Sequence, residues 1–312
     1  MDQNHTRDKT WLTVVKGAAM GAADVVPGVS GGTVAFISGI YPRLLESLGR
    51  LRPGLLPILF RQGPGAVLRD IDGVFLLPLF GGILLSIFSL ARVLHWALTH
   101  WPRPVWALFF GLILASTWVV ARTIPRWRWQ LRLAFVIGAG LAVLVTSGIP
   151  VHTPGAWWFV FLSGAIAVSA MILPGISGSF ILVLLGQYQN MITAVAQLQW
   201  FTLFSFAGGA VVGLYSIARI LNALLARYHD RTVALLIGFM LGSLNALWPW
   251  KQVLVSLRDA HGVLRPVVQR NVSPTTFAAQ TGNDPQLALV VAAVVVGIAL
   301  VLLVERVARV RH

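Results

Sequence analysis

The stretch DVVPGVSGGT (Asp24–Thr33) recurs in a second form, MILPGISGSF (Met171–Phe180), about half a chain later. Both stretches interrupt apolar runs with proline, glycine and serine. Proline lacks a backbone donor and disfavours helix at the residue before it, so each stretch breaks a helix. The arms beside the breaks have about 9 to 17 residues, and at ~1.5 Å per residue the shorter arms cannot cross about 30 Å of hydrocarbon. We therefore predict re-entrant helical hairpins at residues 11–41 and 157–196.

The rest of the chain is strongly apolar. Of its 312 residues, 57% are hydrophobic and 11% are charged, which is outside the range of soluble globular proteins. No Asp, Glu, Lys or Arg occurs between Arg132 and Arg219. This composition predicts an all-α integral membrane protein. The net charge of +14 is concentrated in segments beside apolar runs, so we expect anionic phospholipids as partners and no nucleic acid.

The chain contains an internal repeat. An offset of 147 positions aligns the two broken segments, an offset of 127 aligns SLARVL at 89–94 with SIARIL at 216–221, and an offset of 159 weakly aligns residues 137–145 with 296–304. These matches predict two repeats, 1–150 and 151–312. The changes of offset indicate insertions, which we predict to be a cytoplasmic insertion at 43–72 and an external loop at 250–286.

Each repeat also contains three apolar runs that are long enough to span a membrane. They cover residues 75–97, 104–121 and 133–149 in the first repeat, and 201–225, 232–249 and 287–304 in the second. Three spans per repeat is an odd number, so the second repeat is predicted to be inverted relative to the first. With both termini cytoplasmic, 17 basic residues lie inside and 5 outside, as the positive-inside rule requires.

The hairpin breaks are predicted to form a binding site. Irregular backbone at membrane depth persists only where protein buries it or where it lines a polar cavity, and paired breaks in repeats indicate a substrate site. The break residues are Pro27, Gly28, Pro174 and Gly175. The tips offer backbone amides and hydroxyls to an anion from Ser30, Gly31, Gly32, Thr33, Ser177, Gly178 and Ser179. The alternative is that these small residues only let the helices pack closely.

Three charged residues complete the candidate site. Arg92 and Arg219 are equivalent under the 127 offset, and a guanidinium binds phosphate bidentately without losing its proton. We predict that they hold a phosphate monoester at the two mouths of the site, that is, at its openings toward opposite sides of the membrane. The alternative is that each arginine side chain only extends, or snorkels, to the membrane interface. Asp24 lies in an apolar arm, where it either carries a coupling proton or sodium ion or balances an arginine. Glu46 is expected on a solvated interfacial helix face.

Other chemistries find little support in the sequence. The chain has no cysteine, which excludes disulfides and thiol catalysis. Its seven histidines are scattered without metal-ligand spacing, so no metal and no cofactor is expected.

With the paired DVVPGVSGGT and LPGISGS motifs, a GG followed by SxAR in both halves, and a length near 300, nearly the whole chain resembles the polyprenyl-phosphate (undecaprenyl-phosphate) transporters, a family formerly catalogued only as a domain of unknown function. The resemblance implies a bacterial inner-membrane protein that returns undecaprenyl phosphate from the outer to the inner leaflet for reuse in peptidoglycan and other envelope polymers. One departure is that Ser179 and Phe180 stand where the first motif has Gly32 and Thr33, which puts equal roles for the two tips in question.

Two other functions are compatible with the sequence. A membrane-embedded lipid phosphatase needs a nucleophile or base beside the phosphate, commonly histidine, and neither motif contains one. A small-anion transporter or channel would use the same helix-terminus site. It differs from a lipid carrier in lacking a side opening for an isoprenoid tail.

Overall fold

The computed structural model describes residues 10–25, 30–52, 54–148, 153, 155–258 and 264–310. The chain is mostly helical (80%), with several apolar helices. The prediction of a helical membrane protein is thereby confirmed at this level.

The first half consists of eight helices among its described residues. They are α1 (Thr10–Val25), α2 (Gly31–Ile37), α3 (Tyr41–Gly49), α4 (Leu55–Gln62), α5 (Pro64–Asp70), α6 (Gly73–His100), α7 (Pro102–Ala121) and α8 (Trp129–Thr146).

The second half contains six α-helices, a short 3₁₀ helix and two strands among its described residues. They are α9 (Trp157–Ile172), α10 (Gly178–Leu184), α11 (Tyr188–Ala196), α12 (Trp200–Ser243), the 3₁₀ helix Leu244–Leu247, β1 (Lys251–Arg258), β2 (Leu264–Asn271), α13 (Pro274–Thr281) and α14 (Leu287–Val310).

Three of the described helices are long and apolar enough to cross a membrane. They are α7, α8 and the stretch Trp200–Leu247 that contains α12. The pair α5 and α6 passes the same test together but bends by 89° at the break between them. The helices α9 and the apolar part of α14, Leu287–Leu303, are shorter. At about 1.5 Å per residue, α6 is nonetheless long enough to cross the hydrocarbon.

Helix α12 has 44 residues and covers the predicted span 201–225 and the predicted span 232–249 as far as Ser243. Its backbone leaves the helical region at Tyr228 (φ −133°, ψ 47°), between the two runs. The basic residues Arg227 and Arg231 flank this kink, as expected where two spans meet at a polar surface.

The chain at the two predicted hairpins has the same order and lengths of helices, although the last helix of the first set, α3, lies almost entirely in the predicted insertion 43–72. A 16-residue helix (α1, α9) is followed by the break, a 7-residue helix (α2, α10) and a 9-residue helix (α3, α11). A glycine with positive φ makes the last turn in each, Gly39 (φ 74°) and Gly186 (φ 63°). Pro27 and Gly28, predicted as the first break, lie outside the described residues.

The same close glycine contacts occur inside each half. In each contact below, a Cβ on the glycine would collide with the named carbonyl oxygen, so the backbones touch directly. Along α1 and α6 the contacts are Gly17 with Leu79 and Gly82 with Val14; along α9 and α12 they are Gly164 with Phe206 and Gly209 with Phe161. The offsets of 147 and 127 relate the second pair to the first.

Each of the remaining long helices of the first half packs against a helix of the second half. Helix α7 packs on α14, and α8 packs on the second part of α12. The glycine contacts are Gly111 with Val294 and Gly297 with Leu108 in one pair, and Gly238 with Phe135 and Gly138 with Leu235 in the other. The offsets of 127 and 159 relate these contacts as well, so each half lends its last helix to the other.

The two insertions are more ordered than surface loops. In the first, α3 is a buried helix whose Leu44, Leu45 and Leu48 join the core with Phe75 and Leu79. The second contains a β-hairpin in which β1 pairs antiparallel with β2, and this hairpin was not predicted.

Candidate functional site

The tips of the two broken hairpins touch each other. Ser30 Oγ donates to the carbonyl oxygen of Met171 over 3.0 Å, and the Gly175 amide donates to Thr33 Oγ1 over 2.8 Å. Ser30 and Thr33 are buried. Each hydroxyl thus pairs with a backbone group that the helix break leaves without a helical partner.

A third contact joins the hairpins beside the tips. The hydroxyl of Tyr41, which begins α3, donates to the carbonyl oxygen of Ile172 over 3.1 Å. Tyr41 is almost fully buried, and its ring meets Phe36 edge-on. This tyrosine links the second tip to α3.

The first tip is closed by the chain's own carboxylate. The Gly31 amide donates to Asp24 Oδ1 over 2.7 Å, and the Gly32 amide donates to Ser30 Oγ over 3.1 Å. A Cβ on Gly32 would lie 2.6 Å from the Ile172 carbonyl oxygen, so this position needs glycine. A Cβ on Gly31 would lie 2.5 Å from Asp24 Oδ2 and would displace the carboxylate. The predicted anion donors of this tip are therefore engaged within the protein.

The second tip is more open. Ser177 Oγ and Ser179 Oγ lie 2.9 Å apart and share a hydrogen bond. Met171 stands at the position equivalent to Asp24, so no carboxylate closes this tip. In the described part of the chain, the amides of Gly178 and Ser179 have no hydrogen-bond partner, and Ser179 is exposed.

The break at the second tip also depends on a glycine. Gly175 has φ +90°, a conformation that residues with a side chain rarely adopt. A Cβ there would lie 2.6 Å from Ser243 Oγ. The Pro174–Gly175 break is thus held against the end of α12.

Of the two predicted arginines, the structure describes the side chain of Arg219. Arg92 lies within α6, but its side chain is outside what the structure describes. Arg219 lies on α12, is exposed, and donates from Nη1 to the hydroxyl of Tyr215 over 2.8 Å. Its guanidinium carbon also lies 5.6 Å from the centre of the Tyr215 ring.

Arg219 faces a cavity of about 520 Å³, which we call the basic vestibule. The vestibule lies between α12, α3 and the segment after α3, and it is lined by Glu46, Gly49, Arg50, Arg52, Asp70, Tyr215, Arg219, Asn222 and Ala223. Three guanidinium groups face two carboxylates there. Glu46 is exposed and belongs to this wall.

Most of the vestibule was not predicted from the sequence. Arg50, Arg52 and Asp70 were expected in a surface insertion, and no role was predicted for Tyr215. The spacing of four residues between Tyr215 and Arg219 puts both on one helix face, and this signal is readable from the sequence. The convergence of the insertion on α12 is not.

A second cavity, of about 170 Å³, is an apolar groove. It is lined by Phe110, Trp248, Pro249, Trp250, Val290, Val291, Val294 and Val295. The indole nitrogen of Trp248 donates to the Val272 carbonyl oxygen, so this groove offers little to a phosphate. Among the described residues, no three His, Cys, Asp or Glu side chains are grouped closely enough to hold a metal ion.

Several apolar helices that are long enough to cross a membrane define a multi-pass membrane protein. Residues 20–264 match the model of the undecaprenyl phosphate translocase-like family, and the chain belongs to this family.

Two named relatives support this assignment. The chain is 47% identical over 294 residues to the "Polyprenyl-phosphate transporter" of Vibrio cholerae serotype O1, covering 94% of this chain and 96% of the relative. It is 30% identical over 271 residues to the "Polyprenyl-phosphate transporter" of Staphylococcus aureus, covering 77% of this chain and 86% of the relative. No solved structure matches the chain significantly.

Proposed function

We propose that this protein carries undecaprenyl phosphate from the outer to the inner leaflet of the bacterial cytoplasmic membrane. Returned to the inner leaflet, the lipid carrier is used again in cell-envelope synthesis. The observation that carries the proposal is the hydrogen-bonded meeting of the two tips through Ser30 and Thr33. The family match and the names of both relatives support the substrate.

The proposed architecture is a pair of inverted repeats with both termini in the cytoplasm. The equal helix lengths of the two hairpins support it. The glycine contacts that the offsets of 147, 127 and 159 relate to one another support it as well. An inverted pair places one hairpin toward each face of the membrane. The meeting point of the tips then lies between the two faces, where alternating access requires a substrate site.

In the proposed cycle the phosphate headgroup crosses between the tips while the isoprenoid tail remains in the bilayer. The open amides of Gly178 and Ser179, with the hydroxyls of Ser177 and Ser179, are the first donors. The amides of Gly31 and Gly32 and the hydroxyls of Ser30 and Thr33 become donors when the tips separate. Arg92 and Arg219 hold the phosphate at the two mouths.

Asp24 has a specific place in this cycle. Its carboxylate accepts from the Gly31 amide and so occupies the position that a phosphate oxygen would take at the first tip. Binding of a proton or a sodium ion by Asp24 neutralises it and weakens this contact, which lets the phosphate take the amide. The coupling gradient is thereby connected to the substrate site.

We infer a transporter and not an enzyme. The residues at the tips are glycine, serine and threonine, and the tip sequences contain no histidine to act as nucleophile or base. Two tips that bond to each other through single hydrogen bonds are suited to reversible separation.

The test is leaflet-resolved transport by the purified chain in proteoliposomes that contain undecaprenyl phosphate. A membrane-impermeant phosphatase outside the vesicles reports the lipid that remains in the outer leaflet, with and without a proton or sodium gradient. Loss of outer-leaflet lipid only in vesicles with protein is expected. Equal rates in protein-free vesicles would contradict the proposal.

The arginines are tested in the same assay. We expect Arg92→Lys and Arg219→Lys to transport more slowly than wild type at matched expression, because an ammonium keeps the charge but loses the bidentate fork. A snorkelling arginine would be replaced by lysine almost without loss. Wild-type rates for both variants would remove the arginines from the phosphate path.

A further inference from the structure

We propose that the basic vestibule is a second binding site for a phosphate monoester headgroup, used after the tips and before release. The inference rests on the proposed function, because it assumes that the headgroup has reached the side of the membrane where the 43–72 insertion lies. It adds Arg52, from that insertion, and Tyr215 to a mouth where the sequence predicted Arg219, and it places the already paired Arg50 in the wall of the same cavity.

The charges of the vestibule favour an anion. Arg50 is engaged, since it pairs with Glu46 at 2.5 Å and donates to the Asp70 carbonyl oxygen at 3.1 Å. Arg52 Nη2 lies 3.7 Å from Asp70 Oδ2, which is beyond hydrogen-bond range. Two carboxylates thus neutralise two guanidinium groups and leave one positive charge.

Arg219 carries that remaining charge. Within the described chain it forms no ion pair with a carboxylate, and its hydrogen bond goes to the Tyr215 hydroxyl. A guanidinium has five N–H donors, and this single bond leaves the others available. The Tyr215 hydroxyl accepts from Arg219 and keeps its own proton to donate. Arg219, Tyr215 and Arg52 together offer donors to one phosphate.

The walls of the vestibule are held in place by the core. Asn222 Nδ2 donates to the Leu45 carbonyl oxygen over 2.8 Å, which joins α12 to α3 directly beneath the cavity. Leu45 is fully buried. The donors on α12 therefore keep their position relative to Arg50 and Arg52 without a ligand.

The vestibule is also close to the tips along the chain. Tyr41, at the start of α3, contacts the second tip, and Glu46 lines the vestibule five residues later. Five residues of helix span about 7.5 Å. The residue of α3 that contacts the second tip and the residue of α3 that lines the vestibule are therefore only one to two helical turns apart. At about 520 Å³, the cavity has room for a phosphate group and the waters around it.

The test uses the absence of native cysteine. Ala223 lines the vestibule and is exposed, so Ala223→Cys gives a single thiol in the purified full-length chain. Farnesyl phosphate, a soluble short prenyl phosphate, should slow modification of this thiol by a charged methanethiosulfonate reagent. The matched control is Ala226→Cys, which is exposed on the same helix and outside the cavity, and whose modification should not change.

Three ligands distinguish the sources of the phosphate. Protection by farnesyl phosphate alone, or by farnesyl phosphate and inorganic phosphate, supports a monoester site. Protection by phosphatidylglycerol in micelles to the same extent would overturn it in favour of a general anionic-lipid surface. No protection by any ligand would overturn it as well.

The arginines are then tested in the Ala223→Cys background. Arg52→Gln and Arg219→Gln should each raise the farnesyl phosphate concentration for half-protection about tenfold or more, since each loses a charge-assisted contact. Arg61→Gln, on the same insertion but outside the vestibule, should leave it unchanged. Equal values for all three variants would refute the inference.

The two failures are separable. If wild-type protein moves no undecaprenyl phosphate in proteoliposomes, the proposed function fails. If wild-type protein transports but Ala223→Cys is not protected, only the vestibule site fails.

Discussion

Thr33→Val is the substitution that tests the contact between the tips most directly. Valine is close to threonine in shape but lacks the hydroxyl that accepts a hydrogen bond from the Gly175 amide at 2.8 Å. Gly175 is buried, so its N–H would lose its partner in a place that water does not reach. An orphaned buried donor costs about 1–3 kcal/mol, and we expect the free energy of unfolding to fall by this amount.

The assay is equilibrium unfolding of the purified protein in detergent micelles, with Thr117→Val as the matched control. Thr117 is also buried, and its hydroxyl donates to the Ile113 carbonyl oxygen over 2.8 Å. That oxygen lies within α7 and keeps its helical partner when the hydroxyl is removed. The control should therefore lose less than about 1 kcal/mol, a typical net value for one hydrogen bond.

The comparison of the two variants decides the question. A loss for Thr33→Val that is no larger than the loss for Thr117→Val would show that the Gly175 amide has another acceptor. In that case the tips would not be held by this bond. The transport rate of Thr33→Val should also fall, because Thr33 is a proposed phosphate donor.

Three further predictions concern topology, coupling and pH. Cysteines placed singly at Gly65 and Gly155, both exposed, should be labelled by an impermeant reagent from opposite sides of the membrane, with Gly65 on the cytoplasmic side; labelling of both from one side would contradict the inverted repeat. Asp24→Asn keeps an oxygen for the Gly31 amide but cannot cycle a proton, so gradient-driven transport should fall far more than substrate binding at equilibrium, and an unchanged response to the gradient would remove Asp24 from coupling. Burial lowers the pKa of Lys251, the first residue of β1, from 10.5 to about 8. Between these values the unfolded chain binds more protons than the folded chain, so stability should rise with pH across that window. Lys251→Met should abolish this rise in chemical unfolding; an unchanged rise would assign it to another group.

Much of the helical framework could be predicted because it follows from length and hydropathy. A run such as 104–121 needs no partner to be recognised as a span, and α7 covers it closely. The breaks are equally local, since proline and glycine act on their own backbone. The kink at Tyr228 lies between two predicted spans, although the helix continues through it.

The β-hairpin was missed because its signal is short and its surroundings are rich in glycine and proline. Residues 251–258 place valine or leucine at 253, 255 and 257, as in a strand, but Leu254 interrupts the alternation. Such a run of eight residues gives a weak signal. The strand is stabilised by pairing with β2, and this pairing cannot be read from residues 251–258 alone.

The site was predictable only in part. Residue types at the tips follow from the motif, but the partners of Ser30, Gly31 and Thr33 lie on other segments or across the break. Only the folded chain shows that the Asp24 carboxylate already accepts the hydrogen bond of the Gly31 amide. The same holds for Arg52 and Arg219, which are far apart in sequence and line one cavity.

The exchange of last helices between the halves has a consequence for biosynthesis. Gly111 on α7 packs against Val294 on α14, and some 180 residues must leave the ribosome between these two positions. Until then the glycine face of α7 meets lipid or the insertion machinery. The first half therefore cannot complete its own packing as it is made, and the molecule closes only when its last helix enters the membrane.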